Sequence, residues 1–144
     1  SSCLSSSTYT RTAKKTVTKA DKIVANALSY KGTKYKFGGT TRKGMDCSGV
    51  VYVAFKSQQI QLPRVSRDMA NRGQKVALAR VKKGNLLFFR TGKNSRRINH
   101  VGLVVSNNKG VIRFVHSTSS KGVIVSSLSG KYWRNAFLKA TKIL

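Results

Sequence analysis

Apolar residues recur at helical spacing early in the chain and at strand spacing later. Ala20, Ile23, Val24, Ala27 and Leu28 fall on one helical face, with Thr18 or Asp21 placed to cap its start and Gly32 to end it. Residues 33–46 are rich in Gly, Thr and Lys and read as a loop. The segment 47–59 points two ways. Val50, Val51 and Val53 favour a strand by propensity, whereas a long run without a breaker behind Asp46, a good N-cap, favours a helix. We read it as a helix. Residues 66–73 predict a short capped helix.

Beyond that point the pattern turns to β. Residues 86–89, 99–105, 111–116 and 123–126 are short apolar runs separated by Gly, Asn, Ser and Lys. A helical turn over 132–135 and a last strand over 137–144 complete the series. Helices first and antiparallel strands after them is the α+β pattern. Residues 1–17 are rich in Ser, Thr and Lys and read as a flexible leader, so the folded domain is expected over 18–144.

Composition narrows the chemistry. The chain has 144 residues, 40% of them apolar, and a net charge of +26. Its only carboxylate side chains are Asp21, Asp46 and Asp68. Paired-carboxylate mechanisms and acidic metal cages are nearly excluded on that count, and no metal or other cofactor is expected. No apolar run approaches the ~20 residues of a membrane span. The charge calls for a polyanionic partner. Lys and Arg number 10, 11 and 8 in successive thirds of the chain, so the charge is spread over the whole body. No nucleic-acid-binding motif accompanies it, and an anionic polymer of the cell envelope fits as well as nucleic acid. A non-catalytic basic binding module is the alternative to an enzyme.

Three residues suggest catalysis. Cys47 opens the predicted helix, where unpaired amides and the helix dipole favour a thiolate. The only histidines, His100 and His116, lie in neighbouring predicted strands. With a turn centred on Asn108 they face each other across the hairpin, Cβ atoms ~5 Å apart. Cys, His and a polar orienter make up a cysteine hydrolase. The expectation is a thiolate–imidazolium pair of Cys47 and His100, with His116 holding the ring of His100.

These residues stand in motifs that resemble the NlpC-type cell-wall peptidases. The resemblance is carried by Tyr35-Lys36-Phe37-Gly38-Gly39, Asp46-Cys47-Ser48-Gly49, Leu62-Pro63-Arg64-Val65-Ser66 and Gly84-Asn85-Leu86-Leu87-Phe88-Phe89. It continues in His100-Val101-Gly102-Leu103-Val104 and Phe114-Val115-His116-Ser117. It implies a papain-like α+β core with the cysteine on a helix packed against an antiparallel sheet. It also implies hydrolysis of an amide bond in peptidoglycan stem peptides, either D-γ-glutamyl–diaminopimelate or, as in the lipid-anchored Spr-type murein endopeptidases, D-alanyl–diaminopimelate. By match of motif, Cys47 is the nucleophile, His100 the base and His116 the third residue. Tyr35 falls where its hydroxyl could hold an oxyanion or substrate, beside the Cys47 amide as the other oxyanion donor. Asp46 and Ser48 fall where some relatives hold the stem peptide, although Asp46 serves equally as a plain N-cap. Asn85 departs from the family, which usually has Asp there.

Cys3 reads separately. Ser1-Ser2-Cys3 followed by Leu4-Ser5-Ser6-Ser7 resembles a bacterial lipoprotein cysteine and its tether. That implies action outside the cytoplasm, periplasmic with a possible lipid anchor, or secreted. Cys3 is expected not to be bonded to Cys47, because a catalytic thiol must remain free.

Overall fold

A computed structural model describes residues 16–93 and 96–144. The expectations for the leader and for Cys3 lie outside the described residues. Helix α1, Lys19–Leu28, begins at a capping box: Thr18 accepts from the Asp21 amide, and the Asp21 side chain accepts from the Thr18 amide. Both candidate caps therefore act, as the two halves of one device. Ile23, Val24 and Ala27 form its buried stripe. Asp21 also pairs with Lys83 at 2.9 Å.

The expected loop before Cys47 contains a small hairpin, β1 (Thr40–Thr41) and β2 (Gly44–Met45). Its strands are too short to show a hydrophobic alternation. Helix α2 runs Cys47–Lys56. Its buried residues Val50, Val51, Ala54 and Phe55 follow helical spacing, so the cap and the buried stripe override the strand propensity of the valines. Helix α3, Ser66–Met69, is shorter than expected, and no side chain caps it. Ser66 lies inside the first turn instead. Two elements that the pattern does not predict follow, β3 (Gln74–Val76) and a 3₁₀ turn (Leu78–Arg80).

The remaining strands match the apolar runs: β4 (Leu86–Phe89), β5 (His100–Asn108), β6 (Val111–Thr118), β7 (Gly122–Ser127) and β8 (Phe137–Lys142). Helix α4, Lys131–Ala136, lies between β7 and β8. The six-stranded sheet has the order β3-β8-β4-β5-β6-β7, antiparallel throughout. The fold is thus α+β, as expected.

Alternation along the strands divides the core in two. Leu86, Phe88, Val101, Leu103 and Val115 pack with α1 and α2. Leu87, Phe89, Val104 and Phe114 point the other way and pack with Trp133 and Phe137. Among the described residues no helix is long and apolar enough to cross a membrane.

Candidate active site

The start of α2 is built around one carboxylate. Asp46 accepts from the Gly49 amide at 2.8 Å, from the Gly38 amide at 2.7 Å and from Arg64 at 2.9 Å. Arg64 also donates to Ser48 Oγ at 2.7 Å. The loop closes tightly on the helix. A side chain on Gly39 would collide with the carbonyl of Gly44, and one on Gly49 with the carbonyl of Gly39. Asp46 and Ser48 are both buried, and neither lines the cavity in front of Cys47. Their polar atoms are taken up by Arg64 and backbone amides, and they fix the frame that carries the nucleophile. Asn85 is likewise committed: its side-chain oxygen accepts from the Lys82 amide at 2.8 Å, a bond that either Asn or Asp can make.

Cys47 carries a free thiol. It lines a cavity of about 460 Å³ together with Tyr35, Asn99, His100, Ser126 and Trp133. Its Sγ lies 3.9 Å from the carbonyl oxygen of Asn99, at the entry to β5. Backbone amides of Val101, Ser48 and Cys47 itself act on the sulfur and favour the thiolate. Burial acts against them and is the larger effect, and the nearby Asp46 carboxylate adds to it, so the thiol is pushed up. Burial also pulls His100 down, to about 4. Burial thus opposes the expected thiolate–imidazolium pair, while the helix start and the three backbone amides favour it.

The histidines form a chain. Nε2 of His100 lies 2.8 Å from Nδ1 of His116, and Nε2 of His116 lies 2.7 Å from Ser126 Oγ. With both rings neutral, two opposite tautomer assignments join all three groups, and only one leaves a bare nitrogen on the cavity side of His100. In that one His100 donates through Nε2 to His116, and His116 donates through Nε2 to Ser126. This leaves Nδ1 of His100 as the nitrogen able to take a proton from the cavity. His116 is fully buried and is pulled down to about 3 by burial and by its neighbour His100.

Aromatic rings hold this chain in place. Trp133 stacks on His100, with centroids 5.0 Å apart and planes 27° apart, and meets His116 edge-on at 4.7 Å. Phe114 supports His116 from 4.4 Å. Tyr35 lines the same cavity, and burial, followed by the proximity of Cys47 and Asp46, keeps its phenol protonated to higher pH. It is thus available as a donor.

The sequence reading missed Trp133, Ser126 and Asn99. The single tryptophan on a predicted helical turn was the one available signal, and it does not say against what that turn packs.

The register between the histidine strands also differs from expectation. The turn lies at Lys109 and Gly110, both with positive φ, and Asn108 pairs with Val111. A bulge at Val105 then changes the pairing to Val104↔Phe114 and Leu103↔Val115. His100 and His116 are diagonal neighbours on one face and not direct partners.

The chain can be compared with known proteins on this basis. It is 36% identical over 124 residues to the murein DD-endopeptidase MepS/murein LD-carboxypeptidase of Escherichia coli, an alignment covering 85% of this chain and 62% of that protein. It therefore spans less than two thirds of that relative's length. It is 40% identical over 116 residues to the probable endopeptidase NlpC of Escherichia coli, covering 80% of this chain and 72% of that one. Its fold matches the crystal structure of an NlpC/P60 family protein from Bacillus cereus with a TM-score of 0.78 and 26% identity, over 87% of this chain and 40% of that one. The NlpC/P60 family model matches residues 32–142, which takes in Cys47, His100 and His116. The chain belongs to the NlpC/P60 family.

Proposed function

We propose that this chain is a peptidoglycan endopeptidase that hydrolyses an amide bond of the stem peptide outside the cytoplasm, with Cys47 as nucleophile. The observation that carries the reading is the junction of a free Cys47 thiol and the His100–His116–Ser126 chain at a single cavity. In the first step the Cys47 proton passes to Nδ1 of His100 as the sulfur attacks the amide carbonyl. The Cys47 amide and the Tyr35 hydroxyl stand as donors for the oxyanion. Collapse expels the amine, which takes the proton from His100, and leaves a thioester on Cys47. His100 then draws a proton from water, the resulting hydroxide attacks the thioester, and the thiol is restored.

The relatives bear on both candidate bonds: a murein DD-endopeptidase of Escherichia coli favours the D-alanyl–diaminopimelate bond, and a gamma-DL-glutamyl hydrolase of Bacillus subtilis favours the D-γ-glutamyl one. Digestion of purified peptidoglycan with mass spectrometry of the fragments tests the reading. New fragments are expected from the native protein and none from Cys47→Ala or His100→Ala. An absence of new fragments from peptidoglycans of several types would overturn it.

A further inference from the structure

The catalytic cavity has a neighbour. A second hollow of about 300 Å³ adjoins it across Thr91 and Tyr132, which line both. Its remaining walls are Arg90, Gly92, Lys93, Asn135 and Ala136. We infer that this hollow is a carboxylate-binding subsite of the cleft, in which Arg90 and Lys93 hold a carboxylate of the bound peptide. The inference rests on the proposed peptidase reading for the identity of that peptide.

Charge is the first support. The chain has three acidic side chains, and two of them are already paired, Asp46 with Arg64 and Asp21 with Lys83. The third, Asp68, sits on α3 and forms no ion pair among the described residues. Arg90 and Lys93 thus have no carboxylate partner among the described residues, and the hollow presents two unneutralised cations beside an amide and a phenol. A planar carboxylate suits the fork of a guanidinium, with the ammonium as a second point charge.

Placement is the second. The wall shared by the two hollows is tied to the nucleophile through one residue. Asn99 accepts from the Thr91 amide at 2.8 Å and donates to the Thr91 carbonyl at 2.9 Å, while its own carbonyl lies 3.9 Å from Cys47 Sγ. The Arg90 amide donates to the Ala136 carbonyl at 2.8 Å, which fixes the opposite wall to the end of α4. The backbone that carries Arg90 is therefore tied both to the wall of the catalytic cavity and to the end of α4. Stem peptides carry free carboxylates next to their amide bonds, so a cationic hollow beside the nucleophile can select the register in which the peptide lies.

The test uses the full chain with Cys47→Ala and an Ala-γ-Glu-diaminopimelate-Ala tetrapeptide, once with free carboxylates and once amidated, with binding measured by calorimetry. Arg90→Gln and Lys93→Gln should each weaken binding of the free acid about threefold, and together about tenfold, as exposed charge pairs do. Arg90→Lys keeps the charge but loses the fork, so it should recover only part of the affinity, and the amidated peptide should bind all variants alike. Equal losses on both peptides, or no carboxylate-dependent binding at all, would overturn the inference. Turnover of cross-linked peptidoglycan by the native protein is scored separately. Failure of turnover alone counts against the peptidase reading, and failure of the amidation contrast alone counts against the subsite.

Discussion

His100 and His116 touch through their rings, at 2.8 Å, because β5 carries one residue more than β6 between the turn and the site. The register set by the Lys109-Gly110 turn pairs Asn108 with Val111 and Ser106 with Arg113. Carried on unchanged, it would place the two histidines on opposite faces of the sheet, since side chains alternate with a period of two. The bulge at Val105 shifts the pairing by one residue and brings both rings to the same face. Deleting Val105 should therefore give a folded protein with no peptidase activity. Circular dichroism together with peptidoglycan digestion checks this, and a deletion variant of near-native activity would show that the bulge is dispensable.

The charge on Cys47 has a measurable signature. Burial raises Cys47, so its thiolate absorbance should appear above the ordinary thiol range and not at mildly acidic pH. The comparison is between Cys3→Ser and Cys3→Ser/Cys47→Ala proteins. Iodoacetamide labelling should be slow at about pH 6 and rise with pH. Peptidase activity should be lost as pH falls through the His100 value of about 4, because a protonated ring cannot accept the thiol proton. Fast labelling at about pH 5 would mean that an ion pair exists after all.

The same histidines make folding sensitive to acid. Both have folded-state values lowered from 6.5, to about 4 for His100 and about 3 for His116, so the unfolded chain binds protons first. Their contribution is fully present above about pH 6.5 and is lost as pH falls toward the folded values. For His100 alone the loss approaches about 3 kcal/mol at the acid end. Urea midpoints should fall steeply between about pH 6.5 and pH 4 in the native protein, and less steeply in His116→Gln. Equal slopes would show that the buried imidazoles do not drive the acid transition.

Local chemistry made part of this architecture legible and left the rest hidden. Thr18, Asp21 and Asp46 announce their helices because a cap needs only its own neighbours in sequence. Strand β4 and the first half of β5 show as apolar runs because both faces of the sheet are covered there. The strand β3 does not show: Gln74 and Lys75 are exposed and polar, and they form a strand only because β8 supplies a partner. Cys47, His100 and His116 were readable from residue type and position. Their proximity was inferred from a wrong register that errs by an even number of residues near the site, which preserves the face. The resting charge of Cys47 was not readable, since it depends on burial by distant segments.

The basic surface should act on polymer capture and not on bond cleavage. Raising salt from ~0.05 to ~0.5 M shortens the screening length from roughly 14 to 4 Å. Activity on whole sacculi should fall, while turnover of a small stem peptide with its charges blocked should change little. Equal sensitivity of the two substrates would place the charge effect at the catalytic cavity itself.

The last prediction separates His116 and Ser126 from merely structural roles. In the tautomer that base catalysis requires, His116 accepts from His100 and Ser126 accepts from His116, so each holds its neighbour's proton on one nitrogen. His116→Ala leaves the His100 ring free to turn and to expose the wrong nitrogen to the cavity, and kcat should fall about a hundredfold. His116→Asn or His116→Gln should recover part of the loss, because an amide oxygen can accept the same N–H. Ser126→Ala removes a single hydrogen bond worth about 1 kcal/mol, so a loss of about fivefold is expected. For the His116 variants KM should hardly change, because His116 does not line the cavity; Ser126 does line it, so Ser126→Ala is read on kcat. Thermal midpoints read alongside kinetics distinguish the two roles. If His116→Gln restores stability but no turnover, then His116 supports the fold around Trp133 and Phe114 and does not orient the base.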